Sequence, residues 1–393
     1  HWAGGAVKAF LDFIPNAFAF LLVCLHCDSK KKLRVVVLML LFVCLFVLAH
    51  SCIDLLRGVP EGAAVQPGTT EGGDTDQWNI EHPYLLAMKN DQGQLFYRTR
   101  GLGLINDPND YGQLLVCVIP LLFIFWRAKK MLFNIAFVML PVCILLIGVY
   151  LTHSRGALLA LMAMAIVAAR RRIGTVPALV LAGVLFAAAM ALNFTGGRQI
   201  SEQSGADRTA LWGEGLQILK AHPLFGVGFG NMPDYTDDHK TAHDSVMVCA
   251  AELGLFGLYF WSLFLFPTVR DALGVASAAK VTEGEPIAPE ETHFPQTARE
   301  VEVLDKGQIN HLGRLMVLSL TGFLVAGVFL SRAYVMTFFL LGGMAEVVFQ
   351  MALDRGMIGP RLPLARTLMY AGALMIFLLA AMYILLRAVN LMH

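Results

Sequence analysis

The chain has 393 residues, of which 57% are hydrophobic and 15% charged, and its mean hydropathy is +0.63. Soluble domains carry about a quarter charged residues, so this balance excludes an ordinary soluble enzyme. A formal net charge of +1 offers no basic surface for nucleic acid.

Crossing a bilayer core takes about 20 apolar residues per helix. Runs of that kind predict about ten spans, at 9–25, 34–50, 111–126, 131–151, 156–170, 174–193, 245–266, 313–331, 335–352 and 366–388. The fifth is the shortest of them. The expected fold class is all-α, a single polytopic transmembrane helical bundle over 1–393. No secretory signal with a small-residue cleavage site opens the chain. It starts on His1 rather than Met, which leaves room for spans upstream. Seven cysteines are present, nearly all inside apolar runs. Cys24 and Cys27 form a CxxC, a pattern shared by redox pairs, metal pairs and small apolar residues at a span end; the setting favours the last.

Basic residues test the span count, because positive charge gathers on the cytoplasmic side. Lys30, Lys31, Lys32 and Arg34 lie between the first two spans, and Arg127, Lys129 and Lys130 between the third and fourth. Arg170, Arg171 and Arg172 follow the fifth, Arg270 follows the seventh, Arg314 opens the eighth, and Arg355, Arg361 and Arg366 precede the last. Every second connection is therefore basic, which puts all of them on one side and predicts the cytoplasm there. Two long loops then face outward, 51–110 and 194–244. The first carries Asp54, Glu61, Glu71, Asp74, Asp76 and Glu81 around a Gly/Thr/Pro-rich middle. In the second, Asp207 is expected to cap an amphipathic helix running to about Ala221, with Leu211, Trp212, Leu216, Ile218 and Leu219 turned to the membrane surface. The inward stretch 267–312, with Pro286, Pro289 and Pro295 among glutamates, reads as a flexible linker. No internal repeat suggests an inverted-repeat transporter.

Four groups of polar residues could carry chemistry. Thr152-His153-Ser154-Arg155-Gly156 lies in a tight outward turn. The planar, permanently charged fork of Arg155 suits a phosphate, or snorkels to lipid headgroups. Gly156 would let the backbone turn and a ligand approach. Arg208 precedes Gly226-Val-Gly228-Phe-Gly230, a glycine run with no strand before it and so no dinucleotide fingerprint; it is either a plain turn or an anion nest. Asp234–Asp244 holds His239 and His243 at i, i+4, a spacing that would put both on one helical face as metal ligands. No HExxH and no third ligand accompany them, and a general base at the membrane edge is the stronger reading of His243. Asn106-Asp107-Pro108 opens the third span as a helix cap, or as a sugar-binding turn. Glu252, about two and a half helical turns below His243, and Glu346 are ionisable groups within spans.

In order, Ser154–Ala157 (SRGA), Arg208, His222–Asn231 (HPLFGVGFGN) and Ala242–Gly257 (AHDSVMVCAAELGLFG) resemble the O-antigen ligase/polymerase superfamily of bacterial membrane glycosyltransferases. Asn106–Asp110 (NDPND) resembles many members too, and the likeness covers roughly 100–265. Asp244 departs from it, since members often have Asn after the histidine, and the spans are fewer than is usual.

The resemblance implies a GT-C-like enzyme of the bacterial inner membrane with its active site facing the periplasm. It would move a glycan from undecaprenyl diphosphate to an acceptor hydroxyl with inversion, His243 as base and Arg155 and Arg208 on the diphosphate. Fixed arginine charge would serve without a metal, and no cofactor is called for. Ser154, Asn106, Asp107, Gly228, Gly230, Asp244 and Glu252 would bind substrate or support the site. Lipid A–core, a growing glycan or a protein hydroxyl are the candidate acceptors, and membrane lipids surround the site. A transporter or flippase of an anionic lipid would use the same arginines, but would line a path across the bilayer with polar groups; a scaffold would need no chemistry at all.

Overall fold

The computed structural model describes residues 3–57, 82–89, 95–192, 194, 202–278, 306–330 and 333–390. A helix sits at each predicted span: α1 (Ala3–His26), α2 (Lys30–Leu56), α3 (Pro108–Leu121), α4 (Met131–Thr152), α5 (Arg155–Ile173), α6 (Thr175–Ala191), α8 (Ser245–Ser277), α9 (Lys306–Gly327), α10 (Met336–Leu353) and α11 (Leu364–Asn390). Between them, α7 (Glu202–Ala221) lies in the second long loop. Among the described residues, eight helices are long and apolar enough to cross a membrane. The remaining two predicted spans are α5, which carries Arg155 and Arg170–Arg172, and α6, 17 residues long. They are adjacent in the chain, so counting or dropping both leaves the sidedness of every other connection unchanged.

Proline shapes two of the helices. Pro120 lies in the last turn of α3, which then tightens into a 3-10 turn over Leu122–Phe125. Pro141 follows a π-helical turn over Ile135–Met139 inside α4; the wider turn absorbs the missing N–H and the ring. The bundle has a buried centre and a lipid-facing shell: 83% of the α3 span is buried, against 11% for α1 and 6% for α11. In α9, Ile309, Leu312, Leu315, Met316, Leu320 and Phe323 recur on the three-and-four spacing and pack the centre with α3, α5, α8 and α10.

The basic connections gather at one end, as their spacing predicts. Lys30 Nζ donates to Gln308 Oε1 (3.2 Å), Arg171 Nη1 to the Ala276 carbonyl (3.4 Å), and the His311 ring meets the Phe123 carbonyl (3.3 Å). Glu346 belongs here: it pairs with Arg361, whose Nε also reaches Asp271 Oδ2 at 2.9 Å. It is a tie between helices, far from the polar loops of the opposite end.

Four expectations need correction. The loop 51–110 is not irregular throughout. Strands β1 (Leu85–Lys89) and β2 (Leu95–Thr99) pair antiparallel, Leu85 opposite Thr99, while α2 runs on to Leu56 and takes in Asp54. Asp207 does not cap α7, which begins at Glu202. Nor does the apolar side of α7 turn to lipid: Trp212 and Ile218 pack with Met247 and Ala251 of α8 and Met382 and Leu386 of α11. The linker 267–312 is helical at both ends, since α8 runs to Ser277 and α9 starts at Lys306; its three prolines, like Glu61, Glu71, Asp74, Asp76 and Glu81, lie outside the described residues.

Candidate active site

The site is built around a break in α8. At Gly254 the backbone leaves the helix (φ 64°, ψ −164°), so carbonyls before the break and amides after it lose their helical partners. The glycine-rich loop supplies replacements. Val227 N donates to the Ala251 carbonyl (3.1 Å) and Gly228 N to that of Glu252 (2.8 Å), while Leu255 N and Phe256 N donate to Pro223 O (2.8 Å) and Leu224 O (3.1 Å). The Glu252 carboxylate then accepts from the Gly230 and Met232 amides. The end of the run aims two amides, those of Gly230 and Met232, at a carboxyl, and that carboxyl is the Glu252 side chain rather than a ligand. Gly228 and Gly230 therefore have their amides engaged within the protein, and Glu252 acts as the anchor that fixes the loop.

That loop leads through a short turn to His243. Residues 236–244 are not helical, so His239 and His243 share no helical face despite their spacing; both take left-handed backbone (φ 53° and 47°), and the His239 ring turns to the Pro233 carbonyl (3.1 Å). Among the described residues no three His, Cys, Asp or Glu side chains cluster at metal-binding distance, and all seven cysteines are free thiols. Two residues of α7 pin the turn: Trp212 Nε1 donates to the carbonyl of Ala242 (2.8 Å), and Glu214 Oε2 accepts from Asp237 N (3.2 Å). Left-handed backbone at a non-glycine residue is uncommon, and it marks sites where the surroundings dictate a side chain's aim.

Asp244 caps α8 through Oδ1, which accepts from Met247 N at 2.8 Å. This is the bonding an Asn would make, so the departure from the pattern the chain resembles costs no cap. The side chain is 1% exposed, and burial pushes its carboxyl up to about 6 from an ordinary 3.8. With the folded value raised, the folded state holds a proton that the unfolded chain has already lost, and stability falls as pH climbs from the lower value through the upper. Asp244→Asn keeps the cap and removes that loss. Its melting temperature in detergent is expected to exceed the wild-type value above about pH 7, by a gap worth at most about 3 kcal/mol, and to converge with it near pH 4. A gap of constant size across that range would refute the assignment.

His243 is half-buried, and its pKa is lowered, by burial first and then by the charge of Arg208; Asp107 opposes and Lys240 adds to the lowering. Arg208 is lowered by burial and by the like charge of Arg155. The structure thus brings Arg155, Arg208, His243 and Asp107 to one place, from four separate segments. Arg208 also lies over the Phe329 ring (5.5 Å to the centroid). Gly156 faces the same Phe329, where a Cβ would meet the phenylalanine Cβ at 2.9 Å, so its smallness admits a protein side chain rather than a ligand. Ser154 is buried as the cap of α5, its Oγ accepting from Ala157 N (3.3 Å). Asp107 caps α3, with Oδ1 accepting from Asn109 N (2.6 Å), and Asn106 beside it is exposed.

A cavity of about 540 Å³ runs from Asp244 and Ser245 between α8, α9 and α11. Its wall is almost wholly apolar, with Trp261, Leu265, Phe323, Leu324, Leu374 and Leu378, and Arg270 stands at its inner end.

Two contributors escaped sequence reading. Trp212 is expected from its apolar stripe to face lipid and instead holds the His243 turn. Arg98 was hidden in the undetected hairpin: it is 5% exposed, and its Nε donates to the carbonyl of Thr152 at 2.8 Å. A signal existed, since Leu85–Lys89 and Leu95–Thr99 flank Asn90-Asp91-Gln92-Gly93-Gln94, a five-residue link containing glycine.

No curated protein and no solved structure matches the chain. Residues 140–262 match the family described as O-Antigen ligase, a stretch that takes in Arg155, Arg208, the glycine-rich loop, His243 and Glu252 but not Asn106 or Asp107. Over that stretch the chain is similar to the O-antigen ligase family, and the match supports its resemblance to the O-antigen ligase/polymerase superfamily.

Proposed function

We propose that the protein transfers a glycan from undecaprenyl diphosphate to an acceptor hydroxyl on the periplasmic face of the bacterial inner membrane. The observation that carries this is the convergence of two like-charged arginines beside a histidine held toward its neutral form, at the end of the bundle opposite the basic connections. Adjacent guanidinium groups repel each other, and an oxyanion placed between them relieves that repulsion. The neutral imidazole of His243 takes the proton from the acceptor O–H as the oxygen bonds to the anomeric carbon. The bond from that carbon to the diphosphate oxygen breaks, its electron pair leaves with the diphosphate, and Arg155 and Arg208 hold the charge so released. Attack from the face opposite the leaving group inverts the anomeric centre. The apolar cavity beside Asp244 suits a donor that arrives on a lipid.

The test is purified protein incubated with undecaprenyl-diphosphate glycan and separate acceptors: lipid A–core, a second lipid-linked glycan, and a peptide rich in Ser and Thr. Release of undecaprenyl diphosphate with one lengthened product, persisting in EDTA, is the expected result and names the acceptor. No turnover with any acceptor, together with movement of the lipid-linked glycan across a vesicle membrane, would replace the enzyme with a flippase.

A further inference from the structure

We propose that Arg98 is a positioning residue for Arg155, acting from the β-hairpin through the turn between α4 and α5; this rests on the transfer reaction proposed above. Burying a guanidinium is costly unless its N–H groups find acceptors. Arg98 finds them on two different helices. Its Nε donates to the Thr152 carbonyl (2.8 Å) and its Nη2 to Asn109 Oδ1 (2.9 Å). Thr152 ends α4, where carbonyls lack helical partners and a cation is favoured. The chain then turns left-handed at His153 (φ 48°), caps α5 with Ser154, and presents Arg155 as the first residue of that helix. Asn109 stands in the first turn of α3, bonded to the same Asp107 whose charge acts on His243.

One rigid fork therefore joins the turn that presents Arg155 to the turn that presents Asp107. The two turns are already in close contact, since a Cβ on Gly112 of α3 would lie 3.2 Å from Ser154 Cβ and from Thr152 Oγ1. Contact of that kind fixes their spacing, and the fork fixes their register. A lysine carries its three donors on one compact ammonium and lacks the planar fork whose Nε and Nη2 meet these two acceptors. Displacement of a charged group by about 1 Å can cost about 100-fold in rate.

The experiment measures kcat and donor KM per folded protein for Arg98→Lys, Arg155→Lys and the double variant. Arg98→Lys is expected to lower kcat about 10- to 100-fold with donor KM changed much less. In the Arg155→Lys background it should add under about threefold, because residues acting on one group are not additive. Asn109→Ala, which keeps the Thr152 bond, should lower kcat in the same direction by less, and carries the test if Arg98→Lys does not fold. Wild-type kcat in these variants, or losses that multiply with Arg155→Lys, would overturn the assignment, the second result marking Arg98 as merely structural. Full activity of Arg155→Lys would instead overturn the arginine part of the transfer reaction.

Discussion

His243→Ala is expected to lower glycan transfer by about 10²- to 10⁴-fold, the range of a lost general base, while insertion and thermal stability stay near wild type. The side chain is only half-buried and lies in a turn outside the helices, so truncating it removes little packing. Its role also fixes a pH signature. Burial and Arg208 lower the imidazole below its ordinary 6.5, so the active neutral form fills at a pH below that value. Donor transfer should rise with pH along a limb centred below it, then level off. Lys240 pushes the imidazole down and Asp107 pulls it up. Lys240→Gln should therefore move the limb to higher pH, and Asp107→Asn, which still caps α3, should move it lower. His243→Ala should have no such limb. Transfer at the wild-type rate by His243→Ala removes the base, and a limb unmoved by either charge change places the titrating group elsewhere.

Much of this was open to sequence reasoning because a lipid solvent leaves few choices. An apolar run of bilayer length must be a helix, so every predicted span holds one. Charge in alternate connections could then order the ends, and Arg171 against Ala276 and Lys30 against Gln308 meet where that ordering puts them. Motif order picked out Arg155, Arg208 and His243, which come from different segments and meet at one end. Periodicity failed where local geometry, not solvent, decides. The spacing of His239 and His243 fits a helix, yet Pro233 and the left-handed residues hold a turn there. Trp212 looked lipid-facing because an apolar stripe does not say what covers it, and α8 and α11 cover it. The glycine run suits a ligand nest by composition, but only its last amide, with that of Met232, reaches a carboxyl, and nothing local reveals that this is Glu252, more than a helix turn beyond His243.

Gly254→Ala is expected to abolish recovery of folded, monodisperse protein altogether, and Gly226→Ala to do the same. Gly254 sits at φ 64° and ψ −164°, a region essentially confined to glycine. A Cβ there would lie 2.5 Å from the carbonyl carbon and oxygen of Leu224, and one on Gly226 2.4 Å from those of Glu252. These neighbours are backbone, so no rotamer change relieves the overlap. Relief requires the two segments to part, which breaks the bonds from Val227, Gly228, Leu255 and Phe256 together. Each buried amide or carbonyl left unpaired costs about 1–3 kcal/mol, and the sum approaches a typical total stability of about 5–15 kcal/mol. Gly230 separates clash from strain. It too has positive φ (75°), but a Cβ there meets nothing within 4 Å. Gly230→Ala should cost only the left-handed penalty of about 1–2 kcal/mol and yield folded protein with a lower melting temperature. Equal behaviour of the Gly230 and Gly254 variants, whether both fold or both fail, would show that the backbone bridge between the loop and the broken helix is not what holds this end of the protein together.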